Sequence, residues 1–92
     1  MSTDIFEKNN INLPTMRDVY EKDNPQIIAH FTNGIWNWYV IAGEKRDNED
    51  YLLYGLVDGN YKEIGTFTLN QIEKVSAIFN PNFESVCLND LK

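Results

Sequence analysis

Gln26-Ile27-Ile28-Ala29-His30-Phe31-Thr32-Asn33-Gly34-Ile35-Trp36-Asn37-Trp38-Tyr39-Val40-Ile41-Ala42 is the stretch that decides the fold. Gln26 to Phe31 and Ile35 to Ala42 are rich in β-branched and aromatic residues, which fit a pleated, half-buried surface. Asn33-Gly34 between them is a strong hairpin signal, because both turn positions must tolerate positive φ. A two-residue turn there predicts Phe31 opposite Trp36, Ala29 opposite Trp38 and Ile27 opposite Val40. On the other face it predicts His30 opposite Asn37 and Ile28 opposite Tyr39.

Outward from this hairpin, Glu44 to Asp50 reads as a charged loop and Tyr51 to Val57 as a third strand. Asp58-Gly59-Asn60 signals a second tight turn, and Tyr61 to Phe67 a fourth strand. A two-residue turn at Asp58-Gly59 or Gly59-Asn60 puts Leu52, Tyr54 and Leu56 on the face of Glu63, Gly65 and Phe67. Thr68-Leu69-Asn70-Gln71 has the form of a capping box, which opens a helix. Leu69, Ile72, Val75 and Phe79 continue it at helical spacing until Asn80-Pro81 stops it. Upstream, Met16, Val19 and Tyr20 predict a short helix, ended by Asp23-Asn24-Pro25. Residues 1–13 read as a loosely ordered or short helical arm, and Phe83 to Leu91 as a short extended or irregular segment.

The predicted architecture is α+β: a four-stranded antiparallel sheet of two consecutive hairpins, then one helix packed on one face, with a short N-terminal helix or arm. Residues 1–92 suffice for one domain. Hydrophobic residues make up 42% of the chain, enough for a core. A core this small gains from dimerisation or a partner, so a homodimer is compatible with the chain. The net charge of −6 repels phosphate backbones and anionic membranes and suits a basic protein surface. With Cys87 alone, no internal disulfide forms, which fits a reducing cytoplasm. No secretory signal and no membrane span is expected.

His30-Phe31, Trp36-Asn37-Trp38-Tyr39-Val40, Leu53-Tyr54-Gly55-Leu56-Val57, Glu63-Ile64-Gly65-Thr66-Phe67-Thr68-Leu69 and Ile72-Glu73-Lys74-Val75 occur in that order. This string resembles an uncharacterised family of small bacterial, plasmid and phage proteins, the domain of unknown function numbered 2958. The likeness covers roughly residues 26–79. After the helix the family continues with an apolar residue and Glu-Arg-Asp, whereas here Phe83-Glu84 is followed by Ser85-Val86. The resemblance implies a cytoplasmic protein of mobile-element or phage origin and implies no activity.

No catalytic residue, cofactor site or metal site stands out. His30 is the one histidine, and its expected neighbour Asn37 cannot act as a base. One His and one Cys cannot complete a structural zinc site. Asp47, Glu49 and Asp50 cluster, but Lys45 and Arg46 interrupt them and no glycine provides a calcium-loop turn, so a solvated loop is expected. Glu63, expected beside Tyr54, needs a partner or access to water. Trp36, Trp38, Tyr39 and Tyr54 give both sheet faces aromatic character. One helix covers one face, so the other is expected to meet an arm, a tail or a partner.

Three functions compete. A non-catalytic protein-binding module would use Tyr39, His30, Asn37, Trp36, Trp38, Tyr54 and Glu63. Its sharper form is an acidic inhibitor of a host nucleic-acid-binding protein, using Asp47, Glu49 and Asp50 as phosphate mimics. A single-strand nucleic-acid binder would stack bases on the sheet aromatics, but among the predicted strands only Lys62 supplies a base, which argues against it. A small hydrolase would pair His30 with a carboxylate such as Glu63.

Overall fold

The computed structural model describes residues 5–48 and 50–91. Helix α1 is Ile5–Lys8 and α2 is Met16–Tyr20. Strands follow at β1 Gln26–Ile27, β2 Ala29–Thr32, β3 Asn37–Lys45, β4 Tyr51–Asp58 and β5 Lys62–Thr68. Helix α3 is Leu69–Lys74, and β6 Ile78–Phe79, β7 Val86–Cys87 and a 3-10 turn at Leu88–Asp90 complete the chain. The main sheet is antiparallel with strand order β5-β4-β3-β2-β6, and β1 pairs separately with β7. The architecture is α+β, as expected, but the sheet has five strands rather than four.

The fifth strand comes from the end of the predicted helix. Thr68 caps α3 as read: its Oγ1 accepts from the Gln71 amide at 3.1 Å, and Gln71 Oε1 accepts from the Thr68 amide at 2.9 Å. The helix then stops at Lys74 instead of running to Phe79. Ser76 takes a left-handed φ of 68°. Its amide donates to the Glu73 carbonyl at 3.0 Å, and the Ala77 amide donates to the Ile72 carbonyl at 3.0 Å. This is a Schellman closure, in which the two residues past the C-cap satisfy the last carbonyls. It sends Ile78 and Phe79 out as an edge strand against Thr32 and Phe31.

Both hairpin registers differ from the two-residue-turn expectation. In the first, Phe31 faces Trp38, His30 faces Tyr39 and Ala29 faces Val40. The connection is four residues long, because Asn33 Oδ1 accepts from the amides of Ile35 at 3.0 Å and Trp36 at 2.8 Å. Only Gly34 has positive φ there, whereas a type I′ turn needs two such residues. The slip is two residues, so Phe31 and Trp38 keep their shared face and Trp36 leaves the strand.

In the second hairpin the loop has three residues, and Asp58 pairs with Lys62, Val57 with Glu63 and Leu53 with Phe67. That one-residue difference inverts β5. Glu63 therefore shares a face with Val57, not with Tyr54. A third irregularity is the extra residue Ile41 between the pairs Val40–Gly55 and Ala42–Tyr54. This bulge sends Ile41 and Ala42, both fully buried, into the same packing cluster. Ile28 also interrupts β1 and β2, so Ile27 and Ala29 pack on opposite sides of the sheet rather than together.

Two cores result. On one face, Ala29, Phe31, Trp38, Val40, Leu53 and Phe67 pack beneath Phe6 of α1 and beneath Leu69 and Ile72 of α3. On the other, Ile41, Ala42 and Leu56 pack with Ile27, with Val19 of α2 and with Leu88. The second face is thus covered by α2 and the C-terminal segment. Among the described residues no helix is long and apolar enough to cross a membrane.

Candidate functional site

His30 projects from β2 onto the second face and is 8% exposed. Its ring stacks on Tyr39, with centroids 4.7 Å apart and planes 14° from parallel, and lies 5.6 Å from Phe83. Nε2 lies 2.7 Å from Asn37 Oδ1, and Nδ1 lies 3.0 Å from Asn80 Nδ2. The Asn80 amide nitrogen can only donate, so this arrangement makes Nδ1 the acceptor and leaves Nε2 to donate to Asn37. Asn37, expected directly opposite His30, pairs instead with Thr32 and reaches the His30 ring diagonally. Asn80, read from sequence only as a helix stop, supplies the second half of the clamp. Both ring nitrogens meet neutral amides.

The hydrolase pair does not assemble. His30 sits on β2 and Glu63 on β5, with two strands between them and on opposite faces. Glu63 is exposed. Tyr54 makes an edge-to-face contact with Tyr20 instead, at 5.1 Å and 89°. Tyr39 is half-buried; burial, aided by the Asp58 carboxylate, raises its phenol above the usual range.

The acidic loop separates into unlike residues. Asp47 is exposed, and Glu49 lies outside the described residues. Asp50 is 7% exposed, a correction to the solvated-loop reading. Its Oδ1 accepts from the Tyr51 amide at 2.8 Å and the Asn70 amide at 2.9 Å. Asn70 lies in the first turn of α3, where an amide lacks an intrahelical acceptor. Asp50 therefore joins the loop to the helix. The acid run gave no sign of this, since the joined residues are twenty positions apart in sequence.

Trp36 and Trp38 form an open apolar site. Trp36 and Trp38 stack at 6.1 Å with planes 28° apart. With Asn33 and Val75 they line a groove of about 240 Å³ at the hairpin-tip end of the sheet. Trp36 lies directly over Gly59, where a Cβ would come within 2.4 Å of the indole. Trp36 thereby bridges the tips of both hairpins. Asn33 Nδ2 donates to the Val75 carbonyl at 3.1 Å and fixes the helix end against the first tip. Ile35, adjacent to Trp36, is 81% exposed, and Val75 is 52% exposed. Both tryptophans are legible in the sequence, whereas Asn33 and Val75 carry only turn and helix signals there, and the early end of α3 brings them together.

Among the described residues no group of three or more His, Cys, Asp or Glu side chains is placed to hold a metal ion. Comparison with protein-family models, curated proteins and solved structures finds no match to this chain.

Proposed function

We propose that this chain is a non-catalytic protein-binding module whose contact surface is the Trp36–Trp38 groove. The observation that carries this reading is the open apolar groove itself, flanked by exposed Ile35 and Val75. An exposed apolar cluster usually marks an interaction surface, and tryptophan is enriched among residues that dominate binding energy. The His30 region supports it less, since its ring nitrogens are already engaged by Asn37 and Asn80. The resemblance noted above supports a cytoplasmic protein of mobile-element or phage origin, for which a host protein is the partner we propose. Inhibition of a host nucleic-acid-binding protein is the narrower form, and Asp50 contributes little to it because its carboxylate is buried.

The test compares capture of host proteins by the wild-type chain, Trp36→Ala and Ile64→Ala. Ile64 is an exposed residue on β5 and serves as the control. We expect Trp36→Ala to weaken a specific complex roughly tenfold or more, with Ile64→Ala retaining it and circular dichroism unchanged. A partner held equally by all three would overturn the groove as the contact surface.

A further inference from the structure

We infer that β5 pairs edge to edge with β5 of a second copy of this chain, joining two sheets across a two-fold axis. This stands apart from the Trp36–Trp38 reading. β5 ends the main sheet on its side, and no strand pairs with its outer edge among the described residues. Its seven residues pair with β4 in an unbroken register from Lys62 to Thr68. An edge strand leaves the N–H and C=O of alternate residues pointing away from the sheet, ready to take another strand. Protected edges are short, bulged, proline-bearing or covered. β5 has no proline and no bulge, and Lys62, Glu63, Ile64 and Thr66 are exposed along it. The far edge differs: β6 has only two residues and is followed closely by Pro81.

The strand is its own complement. Residues directly opposite in an antiparallel pair share a face, so a two-fold axis normal to the sheet sets one residue of β5 against its copy. Centring on Glu63 opposes two carboxylates, which is destabilising. Centring on Ile64 pairs that side chain, 40% exposed in the single chain, with its copy. The same register sets Lys62 opposite the copy's Thr66 and Glu63 opposite the copy's Gly65. A Cβ on Gly65 would meet nothing within 4 Å, so the Glu63 side chain has room there. Lys62 and Glu63 cancel, so the paired strands carry no net charge, although the whole chain stands at −6. Lys62 is turned aside, its Nζ donating to the Leu91 carbonyl at 2.8 Å. A foreign strand would satisfy the backbone, while a second copy also supplies the Ile64 contact and the open position opposite Glu63.

Sedimentation equilibrium of the purified chain tests this. A monomer–dimer equilibrium is expected, tighter as salt screens the like net charges. Gly65→Lys puts an ammonium opposite the copy's Glu63 and should tighten the dimer about fivefold, whereas Gly65→Glu should loosen it about fivefold. Gly65→Lys combined with Glu63→Lys opposes two cations and should loosen the dimer below wild type, although that chain is the least acidic of the set. Circular dichroism verifies that each variant folds. A chain still monomeric at a concentration on the order of 1 mM, a dimer indifferent to these charges, or one tightened by the double variant overturns the β5 pairing. The groove residues lie outside this edge. A monomeric chain that still captures a host protein through Trp36 overturns the dimer alone, and a dimer whose host complex ignores Trp36→Ala overturns the groove alone.

Discussion

Ser76 holds a left-handed φ of 68° without being glycine. A side chain there costs about 1 kcal/mol or more, because Cβ crowds the following carbonyl oxygen. Ser76→Gly should therefore raise the unfolding free energy by about 1 kcal/mol, read from the denaturant midpoint; a loss of stability would show that the serine hydroxyl matters more than its backbone. Tyr39 gives a second prediction. Burial, then Asp58, raises its folded phenol above the unfolded value of about 10. The folded chain thus holds this proton more tightly than the unfolded chain. Its contribution is complete below about pH 10 and falls as pH rises through the folded pKa. Tyr39→Phe should flatten the alkaline decline in stability between about pH 9 and 12, and an unchanged slope would exclude Tyr39 as its source.

Elements in this protein are positioned by their connections. One extra loop residue at Gly59–Tyr61 turns Glu63 from the Tyr54 face to the Val57 face. The alternating pattern of β5 could not warn of it, because Ile64, Thr66 and Phe67 leave neither face clearly apolar. The register also separates two glycines that look alike in sequence. Gly55 and Gly65 are direct cross-strand partners. A Cβ on Gly55 would lie 1.8 Å from the Tyr39 carbonyl oxygen, whereas one on Gly65 meets nothing within 4 Å. Gly55→Ala should force β3 away from β4 and cost about 3 kcal/mol or more. Gly65→Ala should fall within about 0.5 kcal/mol of wild type. Equal thermal shifts for the two variants would contradict the close approach of β3 to Gly55.

At the scale of the whole molecule, both sheet faces are closed by segments of the chain itself. Phe6 is 1% exposed and packs with Phe31 at 6.0 Å and Tyr51 at 4.7 Å. An isolated four-residue helix has no stability of its own, so this anchor is what places α1. Phe6→Ala should cost about 3–5 kcal/mol, a large share of a total stability on the order of 5–15 kcal/mol. Chemical denaturation should show a large drop in midpoint; a change below about 1 kcal/mol would mean that α1 contributes little. With the sheet centre covered, the apolar groove at Trp36 and Trp38 stays open at the hairpin-tip end.

The sequence by itself determined the two hairpins, the α+β class, the Thr68 capping box, the short helix after Thr15 and the two tryptophans. Each depends on local chemistry: β-branched and aromatic runs, turn residues, and a hydroxyl three residues before an amide side chain. Tertiary structure alone decided what those signals leave degenerate. Loop length set the registers, because a hairpin tolerates several turn lengths with the same residues. The end of α3 at Ser76 was decided by the vacant edge of β2, which offered Ile78 and Phe79 a ladder, while helical spacing by itself favoured continuation. The buried role of Asp50, the Asn80–His30 clamp and the joining of Val75 to Trp36 were settled by packing between segments far apart in the chain.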